Sequence, residues 1–483
     1  MKENVSNRKH ESGFGDELPF GTGKDSTNCR TEKDSMGEVR IPRDALWGTQ
    51  TQRCLDCFGF GAEKMPESVL TGLFLLKKHC AVVNQALCPD RMTEKKKDAI
   101  VRVCDALIRG EYEEAFPLTV WQTGSGTATN MNVNEVISHL AKKKYGADVH
   151  PNDDVNMSQS SNDIFPAAVH IAAVRGLMRV VSDGVGPLLK TLEQLEKKYK
   201  DTVKCGRTHL QDAVPMTFGQ EVSGWKAMLG RDEEAIRRSM EGLKELPVGG
   251  TAVGTGLNVP QGFAERVVDS LNQETGIRFC MAENKFEKLS SAGDIAFAHG
   301  ALKTLAADLM KIANDIRFLA SGPNCGLGEI TIPSNEPGSS IMPGKVNPTQ
   351  CEVLCNVALQ VMGNDVTIGT AASQGQFQLN TYRPLIAYNF FQSCNLLADA
   401  MKSFDRYCLS GLQANREKMK ENVERSLMTV TSLTPAIGYE KAAEIAKKAQ
   451  SESLTVKEAC LKLGYLSEEE FDRIWSPEKM AGL

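Results

Sequence analysis

Between about residues 165 and 415 apolar residues recur every third or fourth position, the pattern of helices that bury one face. Leu302, Leu305, Ala306, Leu309, Ile312, Ala313 and Ile316 form one such stripe, and similar patterns occupy roughly 166–200, 216–245, 349–372 and 384–413. Helices of this length each span on the order of 30 to 50 Å, which predicts a mainly α fold with a long central five-helix bundle instead of a sheet. Small side chains at Ala301, Ala306, Ala307 and Ala313 permit close helix approach, and stripes on more than one face predict packing against further copies. Strand-like alternation is sparse. Shorter helices and glycine-rich turns fill 36–157, and a compact, charged helical tail fills 416–483. The expected division is therefore a disordered extension over 1–35, an N-terminal mainly helical domain over 36–157, the bundle over 158–415 and a small C-terminal helical domain over 416–483.

Composition narrows the function classes. The 483 residues carry 56 Lys and Arg against 61 Asp and Glu, so a net charge of -5 gives no electrostatic reason to expect nucleic acid or an acidic membrane surface. Fourteen cysteines without a framework of short spacings predict reduced thiols in a cytosol-like compartment. Cys54-Leu55-Asp56-Cys57 is a lone pair with no second pair or nearby histidine, so it reads as ordinary buried thiols, and no metal site is expected. No apolar run approaches the roughly 18 residues of a membrane span. Residues 1–35 mix acids with Lys, Ser and Gly, which argues against an Arg-rich organelle presequence and makes a cytoplasmic location the expectation, with a mitochondrial one as the alternative.

Four polar, glycine-bearing segments interrupt the helical text: Thr123–Asn130, Ser158–Asp163, Gly206–Asp212 and Gly338–Asn347. Glycines expose backbone N–H groups, hydroxyls add donors, and following helix starts favour negative charge, so together they are candidates for one pocket that binds carboxylates. Taken singly, the first is an ordinary turn, the second a helix cap ahead of Pro166, and the third a polar loop containing a lone histidine. The fourth places two serines, a glycine and Lys345 before a helix start, with Asn347 as the expected cap, Pro348 at the first helical position and Gln350 in capping-box spacing. A phosphate loop is excluded there: five residues instead of four separate Gly338 from Gly344, and Val346 stands where a magnesium-binding hydroxyl is required.

Thr123 to Asn134, His150 to Asp163, Gly206 to Gln220 and Gly338 to Glu352 resemble the signature segments of the fumarase/aspartase superfamily, and the likeness spans nearly the whole chain from about residue 30. Thr208-His209, Thr127 and the tail Thr434 to Ala443 resemble class II fumarases in particular; aspartases usually carry Gln where His209 stands. The resemblance implies a three-domain fold and a homotetramer whose five-helix bundles form a twenty-helix core, each active site being assembled from three subunits. The implied reaction is the reversible hydration of fumarate to (S)-malate by anti addition of water through an aci-carboxylate intermediate, without metal or organic cofactor.

By the same likeness Ser339 is the base that takes the C3 proton of malate, while His209 paired with Glu352 serves the water side. Lys345 and Asn347 meet the extra charge of the aci-carboxylate, a duty that suits preorganised donors. Ser125, Gly126, Thr127, Ser160, Ser161, Asn162, Thr208 and Ser340, with Lys345 and Asn347, are the expected dicarboxylate-binding set. A serine hydroxyl is a poor base at neutral pH, so Ser339 needs Lys345 and backbone N–H groups to stabilise its alkoxide, whereas an imidazole titrates near neutrality. His150, Asn152 and Asp153 resemble the family's second anion site, although Ala147 stands where some relatives carry arginine, which predicts weaker anion binding. Gln378 stands where fumarases usually show Glu and aspartases Gln. Aspartate ammonia-lyase and a non-catalytic structural relative are thus the alternative functions. His79, His139, His170 and His299 carry no supporting pattern and are expected to be structural or exposed.

Overall fold

In the computed structural model, which describes residues 28–483, the chain is mainly helical and its strands are short. Two compact units emerge, one of residues up to Ala168 with Pro247–Ile277, the other of Val169–Leu246 with Arg278–Leu483.

The first unit begins on a hairpin, which corrects the extension expected over 1–35: Cys29–Asp34 is a strand paired antiparallel with Gly37–Pro42, and residues 1–27 lie outside the described part. Its charged residues read as disorder, but Val39 and Ile41 alternate inward, and Arg53 grips Asp34 through two 2.9 Å hydrogen bonds. That guanidinium holds the Asp34 carboxyl at about 2. Helices Glu67–Leu87, Glu94–Ile108, Thr127–Tyr145 and Phe263–Thr275 build the unit's core. Glu135, on the third of these, accepts the backbone N–H groups of Gly48, Gln50 and Thr51, supplying from a distance the cap that Gly48 cannot give to the helix Thr49–Cys57.

In the second unit the helices Gly186–Lys198, Phe218–Leu243, Gly293–Leu319, Thr349–Ala372 and Arg383–Tyr407 follow the apolar periods closely. The stripe from Leu302 to Ile316 is fully buried, and Thr217 with Gln220 forms a capping box at the start of the helix Phe218–Leu243. The period read over 166–200 begins earlier, at Ser161: the helix Ser161–Arg179 runs through a π-helical segment, Val180–Val185, into Gly186–Lys198. Pro166 therefore sits inside a helix and not in its first turn. By length and composition Ser161–Lys198 is apolar enough to cross a membrane, yet 78% of its most apolar window is buried within the protein, as in a core helix. The tail packs short helices around its own core of Leu433, Ile445, Val456, Cys460 and Phe471. All fourteen cysteines are free; burial pushes the Cys54 thiol up to about 11, which leaves it an inert apolar group.

Candidate active site

In the first unit, two of the expected binding segments meet. Gly126 occupies the N-cap of Thr127–Tyr145 with φ of 78°, a left-handed conformation suited to glycine, and its Cα rests against the ring of buried Phe165. The turn so formed brings Ser125 Oγ within 2.8 Å of Thr127 Oγ1. One turn along, Asn130 Nδ2 donates to Ser161 Oγ at 2.9 Å, tying this helix start to that of Ser161–Arg179. At the second start, Ser160 N donates to Asp163 Oδ1 at 2.9 Å and Asn162 N to Ser160 Oγ at 3.3 Å. Asp163 is fully buried, and its other oxygen accepts N–H groups from Gly249 and Thr251, both at 3.0 Å. Burial raises the Asp163 carboxyl to about 6 against the pull of these donors.

Beneath them lies a residue that the segment reading did not single out. Lys77 is fully buried, and its ammonium donates to Asn156 Oδ1 at 3.0 Å and Gln159 Oε1 at 2.8 Å, with no carboxylate in ion-pair contact among the described residues. The available signal was a lysine on the apolar stripe of its helix, in register with Leu70, Leu73 and Cys80.

The expected second anion site, His150, Asn152 and Asp153, lines a cavity of about 710 Å³. His150 Nδ1 accepts the backbone N–H of Asp153 at 3.1 Å, and Ala147 is buried. Acidic side chains outnumber lysines around this cavity.

In the second unit the serine loop is closed on itself. Gly338 N donates to Lys345 O at 3.0 Å, Asn347 Nδ2 donates to Gly338 O at 2.7 Å, and Lys345 Nζ donates to Asn347 Oδ1 at 2.7 Å. Ser339 Oγ accepts the N–H groups of Ile341 and Met342 at 3.3 and 3.1 Å, while Ser340 is exposed. Asn347 is thus spent on loop closure, and the cap expected of it is not made: Pro348 takes the N-cap position without a side-chain bond, and Gln350 accepts from Ser403 Oγ at 3.0 Å instead of completing a capping box. Glu352 stands exposed in the first turn of the following helix.

The segment 206–212, expected as a loop, is the end of an antiparallel hairpin between Val203–Thr208 and Gln211–Thr217. Thr208 pairs with Gln211, leaving His209 and Leu210 as a two-residue turn with φ of 55° and 62°. That geometry favours Asn-Gly; a non-glycine residue there costs about 1–2 kcal/mol. The exposed tip presents Thr208 and His209 to solvent, and among the described residues His209 makes no ion pair with Glu352 within the chain. Four further histidines among the described residues are tied elsewhere, as anticipated: His79 to Ser270 and Glu274, His139 to Glu32, His170 to the Glu245 carbonyl, and His299 to Asp365 and Ser393. Burial lowers His170 to about 4.

Comparison with known proteins places the chain in a family. Residues 37–363 match the lyase family and residues 430–482 the fumarase C C-terminus. The class II fumarate hydratase of Bacillus cereus is 55% identical, covering 93% of this chain and 98% of its own, and that of Helicobacter pylori is 53% identical over 94% and 99%. The crystal structure of class II fumarase from Schistosoma mansoni superposes with a TM-score of 0.90 at 42% identity, covering 94% of this chain and 99% of that one. The chain therefore belongs to the lyase family, among the class II fumarate hydratases.

Proposed function

We propose that the protein hydrates fumarate to (S)-malate and runs the reverse reaction. The observation that carries this reading is the closed serine loop, in which one hydroxyl, one ammonium and one carboxamide are held in a single hydrogen-bonded frame. In the dehydration direction Ser339 takes the C3 proton; the two N–H groups aimed at its oxygen and the nearby Lys345 support the alkoxide this requires. Lys345, and Asn347 through the amide hydrogen not engaged by Gly338, then face the added charge on the carboxylate, where fixed donors act without reorganising. His209, with Glu352, protonates the departing hydroxyl and, in hydration, takes a proton from water. Ser125, Gly126, Thr127, Ser160, Ser161, Asn162, Thr208 and Ser340 hold the two carboxylates.

These groups are assigned to three subunits of a homotetramer per site. Two features support this: among the described residues His209 and Glu352 stand exposed and form no ion pair with each other within one chain, and the long helices leave apolar residues uncovered, among them Phe297, Val353, Leu359 and Val366. A twenty-helix core would cover them. The division into a domain over 36–157, a bundle over 158–415 and a small domain over 416–483 belongs to the same proposal, as does the anion site at His150, Asn152 and Asp153, with weak binding where carboxylates crowd and Ala147 adds no cation. The bacterial sources of the compared hydratases favour a cytoplasmic location.

Gln378 is the one residue that favours aspartate ammonia-lyase. Ultraviolet absorbance separates the two: the protein consumes fumarate in water without ammonia and leaves L-aspartate untouched. Release of ammonia from L-aspartate with no hydration of fumarate would reverse the assignment.

A further inference from the structure

His209 and Leu210 both adopt left-handed backbone at an exposed turn whose tip offers little packing: Leu210 is 72% exposed. Such a turn keeps one shape only where the structure beneath over-determines it. Three residues below the tip the hairpin register shifts between Cys205 and Arg207, and Gly206 lies so close to the facing strand that a Cβ would stand 2.7 Å from the Val214 carbonyl oxygen. This bulge changes the aim of the strand. Arg207 Nη2 reaches Glu329 Oε1 at 2.7 Å, and Lys204 Nζ lies 3.3 Å from Glu329 Oε2.

Glu329 is wholly buried, its Oε1 hydrogen-bonded and its Oε2 facing only the Lys204 ammonium. Asn422 Nδ2 donates to its carboxylate at 2.9 Å, its N–H donates to Leu319 O at 2.9 Å, and its carbonyl accepts Asn415 N at 2.8 Å. Lys204 also pairs with Glu221 at 2.6 Å, so two cations and two anions form a balanced cluster under the hairpin. Burial pushes the Glu329 carboxyl up, but Arg207 and Lys204 outweigh it and keep the group ionised.

We infer that Glu329 is the positioning residue that fixes the aim of the His209 imidazole, acting through Arg207 and Lys204 at the base of the strained turn. The inference rests on the proposed role of His209 in hydration. A carboxylate fixed by the bundle and the tail converts a flexible two-strand ribbon into a rigid mount, which is what a proton-transferring group needs.

A double-mutant cycle on the purified full-length protein tests it. In the native background Glu329→Gln lowers kcat for fumarate hydration on the order of 10- to 100-fold, with KM within about threefold of native. In a His209→Asn background, where nothing is left to aim, the same substitution changes kcat by less than about threefold. Arg207→Lys keeps the charge balanced while losing the planar fork, so it serves where Glu329→Gln fails to fold, and it follows the same pattern at smaller amplitude. Equal losses in both backgrounds would mean general structural damage and overturn the inference. Absence of hydration by the native protein would instead overturn the reading on which it rests.

Discussion

Replacing Gly126 by alanine probes the binding turn where its geometry is tightest. A Cβ built there lies 2.4 Å from both Cδ2 and Cγ of Phe165, a ring with 0% exposure. Carbon contacts settle near 3.5–4.0 Å, so either the ring or the turn must yield by about 1 Å. A left-handed alanine adds about 1–2 kcal/mol and overpacking a buried ring a further 1–3 or so, which puts the strain at about 2–5 kcal/mol. If the fold absorbs it, the melting transition drops. If the turn moves instead, Ser125 and Thr127 shift by about 1 Å, a displacement that lowers kcat/KM on the order of 100-fold. Gly146, at the other end of the same helix, has φ of 59° and nothing within 4 Å of a built Cβ, so Gly146→Ala carries the backbone cost alone. Thermal unfolding and fumarate hydration measured on both variants decide the matter: Gly126→Ala loses substantially more than Gly146→Ala in one of the two readouts. Indistinguishable variants would refute the argument from steric contact.

Ser339→Ala lowers kcat by about 100-fold or more while leaving the melting transition in place, since the hydroxyl contacts only its own loop; near-native turnover would remove it as the base. His209→Asn flattens the acidic limb of the pH–rate profile for hydration, and an unchanged limb would assign that proton transfer elsewhere. Burial depresses the Lys77 ammonium to about 8 from an ordinary 10.5, so between those values the unfolded chain binds more protons and stability rises with pH. The rise amounts to ~3 kcal/mol in the urea midpoints and disappears in Lys77→Met; a flat native profile over that range would mean the ammonium is not desolvated.

The long helices were legible because burial imposes a period of three to four on any helix in a bundle, and Leu302 to Ile316 obey it without exception. Signature residues marked the site segments, yet not their shapes. The His209 turn carries no local signature because its residues lack the Asn-Gly signal; what holds it, Glu329, lies over a hundred positions away, beyond any local pattern. Asn347 followed the statistics of helix caps, but closing the serine loop used both ends of its carboxamide. The strand Cys29–Asp34 was hidden by charge, its pairing secured by Arg53 from a later helix. Lys77 shows the converse, a legible signal left unread: a lysine on an apolar stripe.

Subunit complementation tests most directly whether separate chains complete one dicarboxylate site. His209→Asn and Ser339→Ala proteins, each nearly inactive, are unfolded together, refolded as a mixture and assayed for fumarate hydration. Shared sites predict activity well above that of either parent refolded alone, because some sites then draw an intact His209 and an intact Ser339 from different chains. A mixture no more active than the average of its parents would contradict the account.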